Sequence, residues 1–142
     1  MSGVAKVLII DNDPAVLEFV TNVLVAEGHL VNAFTDVEEA LFLASSLDPN
    51  LIIFDVQMSG FEGFSVLKYL KANTKMAVVP VMIVTARKDP ESVQAVMKLG
   101  AADYLTKPID PAKLVARVSK VLSGAASATS QPQAAPRAIL WR

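Results

Sequence analysis

Short apolar runs alternate along this chain with longer segments in which apolar residues recur every three or four positions. The short runs are typical of buried strands, and the longer period is that of an amphipathic helix. Five such units predict a doubly wound α/β fold, in which one five-stranded parallel sheet lies between two layers of helices. The predicted strands are Val7–Ile10, Leu30–Phe34, Leu51–Phe54, Val81–Val84 and Asp103–Leu105.

The predicted strands differ in how apolar they are. The first, third and fourth are continuously apolar, as expected for central strands that helices cover on both faces. The second and fifth are expected to be less buried. His29, the single histidine, falls in the turn before the second strand, where we expect a solvated side chain rather than a ligand or phosphodonor. The five apolar stripes of helical period lie within residues 16–24, 37–44, 66–70, 93–97 and 114–122.

Helix starts carry their own signals. In three places an Asp, which can accept hydrogen bonds from the first amides of a helix, precedes a Pro, which suits the first helical position. Thr35, followed three residues later by Glu38, predicts a capping box at the start of the second helix. The three Asp-Pro pairs are Asp13-Pro14, Asp89-Pro90 and Asp110-Pro111.

The last twenty residues differ from the rest of the chain. Residues 123–142 contain six Ala, three Ser, two Gln and two Pro and show no sustained period. We therefore predict one domain over residues 1–122, followed by a flexible tail or linker over residues 123–142. Because so short a segment cannot form a DNA-binding or catalytic output domain, we expect the domain to act by binding other proteins.

Composition excludes several classes of protein. With 13 basic and 14 acidic residues, the net charge of −1 provides no basic field for direct binding of nucleic acid. There are no cysteines for disulfides or thiolate metal sites. The longest apolar stretch, Met76–Val84, is interrupted by Pro80, and the first six residues do not resemble a signal peptide. These features predict a cytoplasmic protein without membrane insertion.

Polar side chains follow four of the predicted strands, at the point where each strand ends. Asp11 follows the first strand, Asp55 the third and Thr85 the fourth, while Thr106 and Lys107 follow the fifth. In an open parallel sheet, ligands bind beyond the carboxyl ends of the strands. If these strands are neighbours, two carboxylates, a hydroxyl and an ammonium group converge at one edge.

The predicted cluster has an electrostatic requirement. Two carboxylates about 4 Å apart repel each other by roughly 4 kcal/mol at an effective dielectric constant of about 20, so the pair favours a bound cation. Mg²⁺ binds carboxylate oxygens and keeps positions for phosphate oxygens, which a hydroxyl and a lysine can also contact. No Gly-rich loop of the form G-x-x-x-x-G-K-S/T is present to hold a nucleotide. An Asp can itself accept a phosphoryl group.

Five stretches of the sequence carry a resemblance to a known family. They are I-I-D-N-D-P at 9–14, L-I-I-F-D-V-Q-M-S-G at 51–60, E-G-F at 62–64, V-T-A at 84–86 and G-A-A-D-Y-L-T-K-P at 100–108. With these motifs the chain resembles the receiver domains of two-component response regulators, in particular the chemotaxis receivers, over about residues 4–122. The resemblance implies a flavodoxin-like sheet of strand order 2-1-3-4-5 with five helices.

The resemblance also implies a role for each residue at the strand ends. Asp55 matches the phosphoacceptor, and Thr85 and Lys107 match the groups that contact its phosphoryl group. Asp11, Asp55 and the backbone carbonyl of Gln57 match the ligands of Mg²⁺, or of Mn²⁺ in its place. A receiver of this kind is a signalling protein that catalyses at most its own phosphorylation and dephosphorylation.

Further matched positions concern switching and the lifetime of the phosphate. Tyr104 matches the aromatic residue that turns inward when the hydroxyl residue, here Thr85, moves. Gln57 and Arg87 occupy positions that modulate how long the phosphate lasts. The Lys107-Pro108 peptide matches a bond that is usually cis in the family.

The resemblance implies two kinds of protein partner. A sensor histidine kinase or a histidine phosphotransfer protein would supply the phosphoryl group. A downstream target would bind the surface formed by the fourth helix, the fifth strand and the fifth helix, and a homodimer is a further expectation for such a domain.

Asn12 departs from the family pattern. It stands where a second acidic metal ligand is usual, and an amide oxygen can coordinate Mg²⁺ without contributing charge. We therefore expect Asn12 to be a weak ligand at most, with weaker metal binding, slower phosphorylation or both. Asp13 is expected to cap the first helix rather than to bind the metal.

Two other functions stay open on the sequence. A degenerate receiver would keep the fold for protein binding alone, with Asn12 as the sign that the metal-dependent chemistry has been lost. A phosphatase of the haloacid dehalogenase type would use Asp11 as nucleophile and Asp13 as acid and base. The second alternative is disfavoured because Pro14-Ala15 replaces the usual Gly-Thr after the second Asp.

Overall fold

The computed structural model describes residues 4–57 and 63–128, with side chains as far as residue 124. Strands and helices alternate strictly along the described chain. The strands are β1 Lys6–Ile10, β2 Leu30–Phe34, β3 Leu51–Phe54, β4 Val81–Thr85 and β5 Asp103–Thr106. The helices are α1 Pro14–Ala26, α2 Val37–Leu47, α3 Gly63–Ala72, α4 Pro90–Lys98 and α5 Pro111–Ala128.

The five strands form one parallel sheet in the order β2-β1-β3-β4-β5. This confirms the predicted doubly wound fold and its strand order, and each predicted strand lies within one residue of its observed bounds. The strand order reverses between β1 and β3, where Ile10 pairs with Phe54. The residues that follow these two strands are therefore neighbours at the carboxyl edge of the sheet.

The core has two halves, one on each face of the sheet. Because side chains alternate along a strand, Leu8 and Ile10 enter one cluster while Val7 and Ile9 enter the other. The first cluster packs against α2, α3 and α4, and the second packs against α1 and α5. All residues of β3 and β4 are buried, whereas the edge strands β2 and β5 are more exposed, as predicted.

The three Asp-Pro helix starts are confirmed. Each carboxylate accepts a backbone N–H bond of 3.0 or 3.1 Å within the first turn: Asp13 from Ala15, Asp89 from Ser92 and Asp110 from Lys113. The predicted capping box at Thr35 is wrong. Asp36 is the N-cap of α2 and accepts a bond from the amide of Glu38 at 3.1 Å, because its extended backbone brings the carboxylate over the first turn.

The fifth helix continues six residues beyond the predicted boundary at Leu122 and ends at Ala128. The apolar period stops near Leu122, but Ala has the highest intrinsic helix propensity, and three Ala within residues 125–128 offset the cost of Gly124, about 1 kcal/mol. The remainder of the predicted tail lies outside the described residues. None of the helices within 4–57 and 63–128 is long and apolar enough to cross a bilayer.

His29 is not solvated as the sequence suggested. The residue is only 7% exposed, and its Nδ1 accepts a hydrogen bond of 3.1 Å from the backbone N–H of Ala5. The backbone of the turn places it there, because Gly28 adopts a φ of 93° and the His29 amide donates back to the carbonyl of Leu24. The imidazole thus ties the start of the first strand to the turn after α1.

This contact predicts a pH dependence of stability. Burial lowers the pKa of His29 below its ordinary value of 6.5, outweighing the opposing charge of Glu27. Between the two pKa values the unfolded chain binds a proton that the folded protein excludes, so the free energy of unfolding should fall as the pH drops below 6.5. Urea denaturation at several pH values between about 5.5 and 7.5 measures this slope.

The matched control is His29→Asn, whose amide oxygen can accept the Ala5 N–H bond but does not titrate. We expect this variant to lose the part of the pH slope that begins near 6.5. Equal slopes for the two proteins over this range would show that His29 takes up no proton when the protein unfolds.

Candidate functional site

Two buried carboxylates stand side by side where the strand order reverses. Asp11 directly follows β1 and Asp55 directly follows β3, and the amide of Asp55 donates to the carbonyl of Ile10 at 3.3 Å. Asp11 is 3% exposed and Asp55 is 5% exposed. Burial of two adjacent acidic groups is costly unless a positive charge accompanies them.

Lys107, which directly follows the edge strand β5, supplies that charge. Its Nζ lies 2.8 Å from Oδ2 of Asp11 and 2.8 Å from Oδ2 of Asp55, so the two oxygens lie within twice that distance of each other. The backbone N–H of Lys107 donates to the carbonyl of Thr85 at 2.8 Å, and the Lys107-Pro108 bond is cis, as the resemblance implied. The predicted convergence of Asp11, Asp55 and Lys107 is thus observed.

The electrostatics of this trio keep the lysine charged. Burial by itself would lower the pKa of Lys107, but hydrogen bonds and charges from Asp11 and Asp55 outweigh it and raise the pKa above its usual value. The ammonium group therefore stays protonated at neutral pH. One positive charge faces two negative ones, which leaves the site with an excess of negative charge for a second cation.

Backbone amides fix the other oxygen of each carboxylate. Oδ1 of Asp55 accepts a bond from the amide of Gln57 at 2.8 Å, and Oδ1 of Asp11 accepts one from the amide of Asp13 at 3.0 Å. The side chain of Asp13 meanwhile caps α1, as predicted. Of the two acidic residues in the D-N-D motif, Asp11 belongs to the site and Asp13 positions the helix beside it.

The oxygen ligands of the site fit a hard divalent cation, although only two of them, the carboxylates of Asp11 and Asp55, carry a negative charge. Carboxylate oxygens of Asp11 and Asp55 are the ligand type that Mg²⁺ prefers, and Mg²⁺ often uses only one or two of them. Asn12 is exposed, and its amide oxygen would bring no charge. Within the part of the chain that the structure describes, no group of three His, Cys, Asp or Glu side chains could hold a metal ion. The role of the Gln57 carbonyl stays a prediction.

Thr85 and Tyr104 belong to a hydrogen-bond network that joins the carboxylate site at Gln57. The fully buried Thr85 donates its hydroxyl proton to Oε1 of Gln57 at 3.2 Å and accepts a bond from the amide of Arg87 at 3.4 Å. The Tyr104 hydroxyl donates to the carbonyl of Arg87 at 2.5 Å. Burial raises the pKa of Tyr104 above its usual value, and the charge of Asp89 adds to the shift.

The sequence predicted the same role for Thr85 and Lys107, contact with a phosphoryl group on Asp55, but the two side chains have different partners in the structure. Lys107 contacts Asp55 directly, whereas the hydroxyl of Thr85 is bonded to Gln57. Arg87 extends its side chain to Asp89 at 3.4 Å, so its effect on phosphate lifetime stays a prediction. The contact between the Gln57 side chain and Thr85 was not foreseen, because residues 28 positions apart carry no local signal of pairing.

A cavity of about 290 Å³ adjoins the site on the side of α1. Among the lining residues that the structure describes, Lys107 alone is charged, and it also contacts both buried carboxylates. Sequence reasoning missed this cavity because it forms only when the first turns of α1 meet the segment after β5. Its lining residues are Ala15, Val16, Phe19, Lys107, Pro108 and Ile109.

Comparisons with known proteins agree with this geometry. The family model for the response regulator receiver domain matches residues 7–119. The DNA-binding response regulator MtrA of Mycolicibacterium smegmatis is 35% identical over 113 residues, which cover 80% of this chain and 48% of MtrA. The chain therefore spans about half the length of that relative.

Two further proteins are similar over nearly their whole length. Protein PilH of Pseudomonas aeruginosa is 31% identical over 120 residues, which cover 84% of this chain and 99% of PilH. The structure of the chemotaxis response regulator CheY4 of Vibrio cholerae matches with a TM-score of 0.78 and 29% identity. That match covers 84% of this chain and 99% of CheY4.

The site geometry predicts a specific effect of removing the lysine. Lys107→Met would leave Asp11 and Asp55 buried without a cation, so we expect the free energy of unfolding to fall by about 3 kcal/mol. Because a divalent cation can replace the lost charge, millimolar Mg²⁺ should restore part of this loss. Urea denaturation with and without Mg²⁺ measures both effects.

Lys113→Met is the matched control, since Lys113 is an exposed lysine on the first turn of α5. Its free energy of unfolding should change by less than about 0.5 kcal/mol. If the two variants unfold at the same urea concentration, Lys107 does not stabilise the carboxylate pair.

Proposed function

Because this chain belongs to the family of response regulator receiver domains, we propose that Asp55 accepts a phosphoryl group from a phosphohistidine on a sensor kinase or a phosphotransfer protein. The observation that carries the proposal is the position of Lys107, whose ammonium nitrogen lies 2.8 Å from a carboxylate oxygen of Asp55 and of Asp11. A lysine held at this point can contact both the accepting carboxylate and a group that arrives on it.

The proposed reaction transfers a phosphoryl group from the imidazole of the donor histidine to the carboxylate of Asp55. A carboxylate oxygen of Asp55 forms a bond to phosphorus while the phosphorus–nitrogen bond of the donor breaks, and the electron pair returns to the donor imidazole. The ammonium group of Lys107 offsets the charge on the phosphoryl oxygens. The backbone amide of Gln57 holds the other oxygen of Asp55 and so fixes the orientation of the carboxylate.

Receiver domains generally bind Mg²⁺ at their phosphorylation site. In this chain Asp11, Asp55 and the backbone carbonyl of Gln57 would hold Mg²⁺ or Mn²⁺, which supplies positive charge to the phosphoryl oxygens when it is bound. The neutral Asn12 supports weaker binding than a second acidic residue would. The two buried carboxylates and the remaining negative charge of the site support the proposal.

Phosphorylation would act on a protein-binding surface. Receiver domains are signalling proteins, and we place this one in the cytoplasm. A phosphoryl group adds a charge of about −1.5 to −2 and new acceptor oxygens beside Thr85 and Lys107. The network from Thr85 to Tyr104 leads to β5, and so to the surface of α4, β5 and α5 where a downstream target or a second copy of the chain would bind.

The two alternatives receive different support. A degenerate receiver would bind partners independently of phosphate, and only the neutral Asn12 favours it, since Asp55, Thr85 and Lys107 are all in place. The phosphatase alternative needs Asp13 as an acid and base. That carboxylate accepts the amide of Ala15 as a helix cap, which gives this alternative no support.

Labelling with a small phosphodonor tests the proposal directly. With acetyl phosphate and millimolar Mg²⁺, the wild-type chain should acquire one phosphoryl adduct, and Asp55→Asn should acquire none. Asn12→Asp adds a charged ligand, so it should reach half-maximal labelling at a severalfold lower Mg²⁺ concentration. Intact mass spectrometry and a phosphate-affinity gel measure the adduct.

The alternatives predict different results in the same assay. The absence of an adduct on wild type at every Mg²⁺ concentration tested would favour the degenerate receiver. Hydrolysis of a generic phosphomonoester that Asp11→Asn abolishes and Asp55→Asn leaves unchanged would favour the phosphatase.

The cavity beside Lys107 supports a docking position for the phosphodonor protein. Phe19, 38% exposed, lines this cavity on α1, so an apolar side chain of a donor bound there would bring its histidine toward Asp55. Phe19→Ala should slow transfer from a purified histidine phosphotransfer protein by roughly fivefold or more, because buried aromatic contacts dominate interface energies. Labelling by acetyl phosphate should not change.

Phe42→Ala provides the control for this experiment. Phe42 lies on α2 and is 84% exposed, so its removal deletes an aromatic ring of the same size away from the cavity. Equal slowing by the two substitutions, or slowing of acetyl phosphate labelling by Phe19→Ala, would contradict docking at the cavity.

A further inference from the structure

A chain of hydrogen bonds connects the phosphoacceptor to Tyr104. Its first bond runs from the backbone amide of Gln57 to Asp55 at 2.8 Å, and its second from the hydroxyl of Thr85 to the side-chain oxygen of Gln57 at 3.2 Å. The third joins the amide of Arg87 to the oxygen of Thr85 at 3.4 Å. The last joins the hydroxyl of Tyr104 to the carbonyl of Arg87 at 2.5 Å.

Within this series of four hydrogen bonds, Gln57 is the one residue that contributes both a backbone group and a side-chain group. The backbone holds Asp55, while the carboxamide reaches from the loop after β3 to the end of β4. Gln57 is exposed, whereas Thr85 is fully buried. The carboxamide therefore satisfies a buried hydroxyl from the surface of the protein.

The hydroxyl of Thr85 can serve only one acceptor at a time. A threonine hydroxyl has a single proton to donate, and Thr85 donates it to Gln57 while it accepts the bond from Arg87. A phosphoryl group on Asp55 would present oxygens that need the same proton. Gln57 and the phosphoryl group therefore compete for Thr85.

We propose that the side chain of Gln57 is a positioning residue that holds Thr85 in its unphosphorylated arrangement, so that a phosphoryl group must displace it before Tyr104 can change partners. This inference rests on the proposed function of Asp55 and adds a regulatory role for Gln57. Tyr104 and Thr85 are bonded to the carbonyl and amide of the same residue, Arg87, so a movement of Thr85 is transmitted to Tyr104.

The competition has a thermodynamic consequence. A bond that exists only in the unphosphorylated arrangement lowers the population of the switched one, and its removal must favour any ligand that binds the switched arrangement. Without the Gln57 acceptor, the affinity for a phosphoryl mimic should rise roughly twofold to tenfold, the factor expected for one such hydrogen bond.

A double-mutant cycle tests this coupling. Gln57→Met keeps the length of the side chain and removes the acceptor, Thr85→Val removes the hydroxyl, and the third variant combines both changes. Beryllium fluoride with Mg²⁺ serves as the phosphoryl mimic, and titration calorimetry measures its affinity. Gln57→Met should tighten beryllium fluoride binding when Thr85 is present. It should leave the affinity unchanged when Thr85 is replaced by Val.

NMR of the ligand-free proteins gives a second readout. The signals of the Arg87 amide and the Tyr104 ring should move in Gln57→Met along the direction that beryllium fluoride produces in wild type. Gln57→Glu retains an acceptor oxygen at the same distance from the backbone, so it should keep these signals near their wild-type positions.

The outcomes separate this inference from the proposed function. Failure of every protein to bind beryllium fluoride would count against phosphorylation of Asp55, and the effect of Gln57→Met on the Arg87 and Tyr104 signals would then decide whether Gln57 holds Thr85. If those signals do not move, or if Gln57→Met changes affinity equally with and without the Thr85 hydroxyl, Gln57 does not act through Thr85.

Discussion

Two acidic side chains buried next to each other are the constraint on which this structure depends. Asp11 and Asp55 adjoin because β1 and β3 are neighbours in the sheet, and at about 4 Å such a pair repels by roughly 4 kcal/mol at an effective dielectric constant of about 20. The positive charge that offsets this repulsion comes from Lys107, which directly follows β5, on the far side of β4. Lys107 reaches the two carboxylates only when β1, β3, β4 and β5 are assembled, so the site and the fold stabilise each other.

Much of this arrangement follows from local sequence. Continuously apolar runs at residues 7–10, 51–54 and 81–84 identify strands buried on both faces, and such strands belong to a parallel sheet with crossover helices. The residue after each run then falls at the carboxyl edge without further information. Asp11, Asp55 and Thr85 are predictable for this reason. Lys107 follows the less apolar fifth strand, and the strand order that brings it to the carboxylates was implied by the resemblance to receiver domains.

The features that the sequence did not predict depend on contacts between distant segments. His29 resembles a loop histidine until the turn at Gly28 brings it under the amide of Ala5, 24 residues away. The carboxamide of Gln57 meets Thr85 only when the loop after β3 crosses the end of β4. The errors at Thr35 and at the end of α5 have a different origin, since competing local preferences, an adjacent Asp and a run of Ala, decided the outcome there.

Asn12 changes the balance of charges at the site, because it is neutral where an acidic residue is usual in the family. An acidic residue there would set three negative charges against the ammonium of Lys107, whereas this chain sets two. The lysine therefore neutralises a larger share of the charge, and a divalent cation at the site would be attracted by a smaller excess of negative charge. On this charge balance, the stability of the carboxylate pair would depend less on a bound metal and more on Lys107. On the proposed function, a receiver with this charge balance would keep its fold at low Mg²⁺, whereas phosphorylation of Asp55, which adds further negative charge, would stay sensitive to the metal.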